Sequence, residues 1–214
     1  MPLTAYIVFI ASGYLSGSLL FSSWIPRFFF HIDSAAASED KNPGAFNAFR
    51  YGGLRAGVPS LLCDLLKGCL PIHLALDYLS TGDLLFSLVL AAPVLGHAFP
   101  FYRHFQGGKG IAVSFGVLLG LLPFSRPLMI LAVIYIFFSV AIVVDTHLWR
   151  TVATFTFFAG FSLFLVPVPG IRLGCLIIAG IVIAKHISQI RGERFSVHLL
   201  RRSQSAGRLP RENS

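Results

Sequence analysis

Charge is scarce in this chain of 214 residues: only 12% are Asp, Glu, Lys or Arg, where a soluble domain carries about 25%. That is too little to coat a globule in water. Acid is scarcer than base, with 9 Asp and Glu against 17 Lys and Arg. Cysteine is limited to Cys63, Cys69 and Cys175, all within apolar runs. They lack the paired spacing of a zinc site and the even count of a disulfide framework, and are read as small core residues. No basic residue precedes the first apolar run and no cleavage site is clearly placed, so a removable signal peptide is not expected. The chain also lacks a carboxylate cluster, a His pair at metal-ligand spacing and a nucleophile-elbow motif, so neither a metal nor a protein-bound acyl intermediate is expected.

What the chain has is apolar length. Hydrophobic residues make up 55%, with 21 Phe and 20 Gly, and the mean hydropathy is +0.76. This excludes disorder and an ordinary cytosolic enzyme, and leaves an all-α polytopic membrane protein. Stretches meeting or nearing the length of a membrane span fall at 3–25, 57–79, 84–101, 110–123, 127–144, 151–166 and 171–184. They predict a bundle of about seven transmembrane helices occupying 1–202, with a polar, disordered tail at 203–214. Of the 17 basic residues, 14 fall in the loops and tail of one face, Arg126 and Arg172 on the other, and Lys67 inside the second span. The positive-inside rule then puts the N-terminus outside, the C-terminus in the cytoplasm and the protein in the cell's inner membrane. The net charge of +8 is thereby topology rather than a nucleic-acid footprint, since the basic residues are dispersed over separate short loops.

The connections on the outer face are short turns, whereas the cytoplasmic face carries a first loop of about thirty residues, a glycine-rich loop and the basic tail. In the first loop, Asn42-Pro43 reads as an N-cap and first turn, Gly52 as the end of a short helix, and Asn47 and Arg50 as one face of it. An amide and a guanidinium there suit an anionic, hydroxylated ligand; an interfacial helix whose Arg50 meets lipid phosphate is the plainer alternative. Gly107-Gly108-Lys109-Gly110 stands directly before the fourth span. Its glycines can turn backbone N–H groups toward a phosphate, with Lys109 adding charge and the helix start a favourable dipole. No glycine stands five residues before Gly108, so this is not a Walker A loop. In the second span, Asp64 and Lys67 lie three residues apart at a depth where an unpaired charge is costly, which predicts that they pair with each other or with another site residue, as a functional group or as a structural ion pair. His97 and His186 fall at the cytoplasmic ends of the third and seventh spans, as hydrogen-bonded structural groups or as bases and phosphate ligands.

In their order along the chain these motifs resemble the bacterial acyl-phosphate:glycerol-3-phosphate acyltransferase (PlsY) family. Gly17-Ser18-Leu19-Leu20-Phe21 is similar to its Gly-Ser-x-Pro-Phe, and Asn42-Pro43-Gly44-Ala45-Phe46-Asn47-Ala48-Phe49-Arg50 to the Asn-x-Gly-Ala-Thr-Asn-x-x-Arg that follows Ser-Gly in its motif. Asp64-Leu65-Leu66-Lys67-Gly68 fits Asp-x-x-Lys-Gly. Gly96-His97-Ala98-Phe99-Pro100 with Phe105-Gln106-Gly107-Gly108-Lys109-Gly110 fits Gly-His-x-Phe-Pro with Phe-Lys-Gly-Gly-Lys-Gly. The chain departs from the family at Asp40, where the motif has serine, at Phe46 for threonine and at Gln189 for asparagine, and its last motif is about one turn shorter. The resemblance implies acyl transfer from acyl phosphate to glycerol 3-phosphate within the membrane lipid, without metal or other cofactor. It implies catalytic roles for Lys109, His97 and Arg50. Substrate-binding roles fall to Asn42, Asn47, Lys67, Gly107, Gly108, Gly110, His186, Gln189 and Glu193. The departures leave an altered or silent paralogue as an alternative, and a small transporter as a weaker one, because the candidate residues gather at one end instead of lining a path.

Overall fold

A computed structural model describes residues 2–38, 40–140, 142–144, 147–188 and 197–199. Eight helices follow in chain order: α1 Leu3–Ser18, α2 Phe21–Phe30, α3 Ala45–Leu76, α4 Phe86–Ala98, α5 Ile111–Gly120, α6 Arg126–Val140, α7 His147–Leu165 and α8 Pro169–Ile187. A single 3₁₀ turn at Phe101–Arg103 follows α4. The all-α expectation has one exception among the described residues, a short antiparallel pair of β1 Ile142–Val144 with β2 Val197–Leu199, in which Val143 faces His198. Four stretches are long and apolar enough to cross a membrane: Leu3–Phe30, Ala45–Leu76, Leu148–Leu165 and Pro169–Ile187. The other three expected spans are α4, α5 and α6, of 13, 10 and 15 residues, each short of the about 17 residues a full crossing needs. The polytopic helical bundle stands, while a count of seven complete crossings does not follow from helix length.

Two boundaries differ from the sequence reading. The first apolar stretch is broken between α1 and α2, at Leu19 and Leu20. The break is held open by partners distant in sequence: Lys67 Nζ donates to the Leu19 carbonyl at 2.5 Å and the Tyr102 hydroxyl to the Ser18 carbonyl at 2.7 Å. The helix of the first loop begins two residues later than the Asn42-Pro43 pair suggests, with Gly44 at its N-cap. It does not stop at Gly52 either. Gly53, at φ 64°, makes a kink from which the same helix runs on into the second span, a backbone angle that glycine adopts at little cost.

Glycines also set how closely the helices approach. A Cβ on Gly17 would overlap the Pro93 carbonyl, and one on Gly96 the Tyr14 carbonyl, so α1 and α4 meet backbone to backbone. α3 and α5 do the same through Gly68 against the Val113 carbonyl and Gly116 against that of Leu65. In both pairs dispersion at short range replaces the hydrophobic drive that lipid cannot supply. Tyr6 reaches the Ser80 carbonyl and Tyr14 that of Phe99, so α1 and α4 run parallel, with Phe99 and the loop after it at the end where α1 stops. The shared interior is filled by Leu90, Val94, Phe155, Phe158 and Ile178, each fully buried. Outward, α3 presents Leu62, Leu66, Leu70 and Leu74, each half exposed at four-residue spacing. Such a stripe is a liability in water and the normal contact surface in a bilayer.

Gly116→Val is expected to force α3 and α5 apart at a cost of about 1–3 kcal/mol, read as a lower melting temperature in detergent. Gly160→Ala, where nothing lies within 4 Å of an added Cβ, serves as the neutral control. Equal behaviour of the two variants would contradict the close-packing account.

Candidate functional site

The foundation of the site is Lys67, 4% exposed on α3. An ammonium has three N–H donors, and Lys67 has three acceptors: Asp64 Oδ1 at 2.8 Å, the Leu19 carbonyl at 2.5 Å and His97 Nδ1 at 2.8 Å. The Asp64–Lys67 pair expected from the i,i+3 spacing is therefore formed. Asp64 is held in turn by the Ser22 hydroxyl of α2, and the Lys67 carbonyl accepts from Ser16 of α1 at 2.8 Å. One buried cation thus joins α1, α2, α3 and α4. Because Lys67 can only donate, His97 accepts at Nδ1, and its Nε2 is turned toward Gly108.

The glycine-rich loop is fastened to this foundation. Gly107 donates its N–H to the Ala98 carbonyl at 3.1 Å and Gly108 to the His97 carbonyl at 3.0 Å. Two of the N–H groups read from the sequence as phosphate donors are thereby spent on capping α4. Their lack of side chains has a packing cause, since a Cβ on Gly107 would meet the His97 carbonyl and one on Gly108 the His97 ring. Only Gly110 uses the left-handed freedom of glycine, at φ 82° as the N-cap of α5. The donors left include those of the first turn of α5, which have no acceptor within the helix.

Lys109 projects from this loop to Asp40, with its Nζ 2.8 Å from Oδ2. The other oxygen of Asp40 accepts from Asn47 Nδ2 at 3.0 Å and from the Asn42 N–H at 3.2 Å. Burial acts to raise the Asp40 pKa, but the Lys109 ammonium and the Asn47 and Asn42 donors outweigh it and bring it down to about 2. Asp40 is therefore an anion at neutral pH. Asn47 Nδ2 also reaches the Asn42 carbonyl at 2.9 Å. Asn42 Oδ1 is buried with no hydrogen-bond partner among the described residues, an acceptor suited to a ligand hydroxyl. His186 at the end of α8 lies within electrostatic range of both Lys109 and Asp40. Its Nδ1 is 2.8 Å from the Val182 carbonyl, so Nδ1 carries the proton and Nε2 is the nitrogen left to meet a ligand.

Asp40, Asn42, Asn47, Lys109 and His186 are thus gathered at one end of the bundle, above Lys67 and His97 and beside Gly107, Gly108 and Gly110. Arg50 is not drawn in: Asn47 points inward, while Arg50 is exposed and lies 5.6 Å from the Tyr51 ring centroid. Gln189 and Glu193 lie outside the described residues. Two groups had no signal in the sequence reading. Ser22 sits in an unbroken apolar run, and Lys185, 6% exposed, lies 4.7 Å from the Phe99 ring centroid, a contact between residues far apart in the chain.

A family model described as glycerol-3-phosphate acyltransferase matches residues 7–194. Curated glycerol-3-phosphate acyltransferases of Streptococcus pyogenes, serotype M5 (strain Manfredo) and serotype M49 (strain NZ131), are each 37% identical to the chain over 138 residues. That match takes in 64% of this chain and 59% of each relative's length. Two crystal structures of PlsY (YgiH), an integral membrane glycerol 3-phosphate acyltransferase, share the fold at TM-scores of 0.70 and 0.72 and 24% identity. One is a lysophosphatidic acid form and the other a glycerol 3-phosphate form, each match covering 86% of this chain and 88% of theirs.

Lys67→Met is expected to destabilise the protein by about 3–5 kcal/mol, because it strands Asp64 as a buried, unpaired charge. Asp64→Asn combined with Lys67→Met should recover most of the loss. Unfolding in detergent measures both, and a double variant no more stable than the single one would show that the pair is not what Lys67 contributes.

Proposed function

This chain belongs to the glycerol-3-phosphate acyltransferase family, and from that premise we propose that it moves a fatty acyl group from acyl phosphate to the sn-1 hydroxyl of glycerol 3-phosphate. The products are lysophosphatidic acid and inorganic phosphate. The observation that carries the reading is the meeting of Lys109 and Asn47 at one anion, 2.8 and 3.0 Å from the two oxygens of Asp40. An ammonium and an amide converging on a carboxylate are a donor set that a phosphate can use equally well. They stand at the start of α5, whose dipole favours the same charge.

In the proposed reaction the glycerol oxygen attacks the acyl carbonyl carbon, and the bond from that carbon to the phosphate oxygen breaks. Lys109 and the first turn of α5 steady the negative charge that develops on the carbonyl and the departing phosphate. His186 Nε2 and Asn42 Oδ1 accept hydrogen bonds from the glycerol hydroxyls and orient them. The departing phosphate takes up the hydroxyl proton, which suits a site where His97 Nδ1 is already engaged by Lys67. His97 then serves by holding the loop that carries Lys109. Arg50, with Gln189 and Glu193, completes the binding of the glycerol phosphate, Arg50 moving off Tyr51 to do so. The acyl tail lies along the lipid-facing helices.

The site faces the cytoplasm in this reading, with the N-terminus outside, in keeping with 14 of the 17 basic residues falling on that side in the sequence. A second reading, an altered acceptor, is favoured by the Asp40–Lys109 ion pair, which puts a carboxylate where an incoming phosphate would sit.

Purified protein given acyl phosphate and labelled glycerol 3-phosphate is expected to yield labelled lysophosphatidic acid. Lys109→Ala should lower kcat/KM by about 100-fold or more while leaving the melting temperature within a few degrees. Full activity in that variant, or no product from folded wild-type protein, would contradict the proposal.

A further inference from the structure

We infer that the Asp40 carboxylate is an internal occupant of the anion position at Lys109, so that a phosphate-bearing ligand enters this site only by displacing it. Asp40 accepts from three donors of different kinds: the Lys109 ammonium at 2.8 Å, the Asn47 amide at 3.0 Å and the Asn42 backbone N–H at 3.2 Å. These are the kinds of group that cradle phosphate oxygens, here satisfied by a carboxylate of the chain itself. Two anions cannot share them, because like charges at hydrogen-bond separation repel and each donor hydrogen serves one acceptor well.

The contact is built to be replaced. Lys109 and Asp40 are 21% and 38% exposed at their side chains, so a ligand can approach from solvent and the pair is only weakly held in water. Asp40 is carried by the segment between α2 and α3, not by a helix, and its neighbour Lys41 adopts a left-handed backbone at φ 50°. Lys109, in contrast, belongs to a loop pinned to α4 through Gly107 and Gly108. Of the two partners, the carboxylate is therefore the one that moves aside. In consequence Asp40 sets ligand specificity: a phosphate ligand binds against its competition, whereas an uncharged polyol does not have to displace it.

The naming of phosphate as the ligand rests on the proposed acyltransferase reading, so the test measures binding separately from turnover. Wild type, Asp40→Asn and Asp40→Ser, each checked for an intact melting transition in detergent, are titrated calorimetrically with three probes. These are glycerol 3-phosphate, a long-chain alkyl phosphonate as an unreactive stand-in for acyl phosphate, and glycerol. Both variants are expected to bind at least one of the two phosphorus-bearing probes about tenfold more tightly than wild type, with glycerol unchanged. A gain confined to glycerol 3-phosphate places the acceptor's phosphate at Lys109, and one confined to the phosphonate places the donor's. Unchanged or weaker binding of both probes, or no binding by any of the three proteins, would overturn the inference. Product formation by wild type, assayed in parallel, decides the acyltransferase reading on its own: product without a gain in the variants sinks only the role of Asp40, and a gain without product sinks only the reaction.

Discussion

Two hydrogen bonds and one ion pair from a single buried ammonium hold the site end of this bundle together. Lys67 reaches the carbonyl that α1 leaves open at Leu19, the carboxylate one turn back at Asp64, and the ring of His97 on α4. A charge at such depth is costly unless every donor is met, and here each is. The consequences run outward. The break between α1 and α2 is stabilised from α3, and His97 is fixed in one tautomer. Its carbonyl takes the Gly108 N–H and its ring fills the space where a Gly108 side chain would be. Lys109, the next residue, is thereby aimed at Asp40 and the start of α3, where Asn47 stands. A structural ion pair inside the bundle and the half-buried cation at its end are two parts of one arrangement.

The solvent explains why glycine performs so much of the packing. Lipid gives helices no hydrophobic reason to associate, and no water reaches the backbone groups of a broken helix. α1 with α4 and α3 with α5 respond by bringing backbones into contact at Gly17, Gly96, Gly68 and Gly116. Where helices end early, side chains close the gap: Lys67 and Tyr102 at the end of α1, and Tyr14 at the Phe99 carbonyl. Outward-facing leucines on α3 are left to the bilayer.

Much of this is legible in the sequence because it depends on local composition. Apolar length shows the membrane bundle, and two opposite charges three residues apart inside an apolar stretch call for partners, of which the structure forms the Asp64–Lys67 pair itself. The order of the short motifs points to the family whose model matches the chain. What the sequence does not show depends on partners far away in the chain. The break after Ser18 interrupts a stretch that stays apolar throughout, and its cause lies 48 residues on, at Lys67. Gly107 and Gly108 read as phosphate donors, but their N–H groups are taken by the end of α4, which periodicity cannot bring alongside. Asn47 and Arg50 share a spacing but not an environment, because the kink at Gly53 and the fold of the first loop bury one and expose the other. The packing role of Gly17, Gly116 and Gly120 likewise depends on distant partners, the carbonyls of Pro93, Leu65 and Cys69.

The central claim is that Lys109, set in place by the Lys67 network through His97 and Gly108, is the anchor of a phosphate group. The most direct measurement is an experimental structure of the protein in lipid with glycerol 3-phosphate bound. The account predicts phosphate oxygens within hydrogen-bonding distance of Lys109 Nζ and the first turn of α5, with Asp40 withdrawn from the lysine. Phosphate bound elsewhere, with the Asp40–Lys109 pair intact, would contradict it.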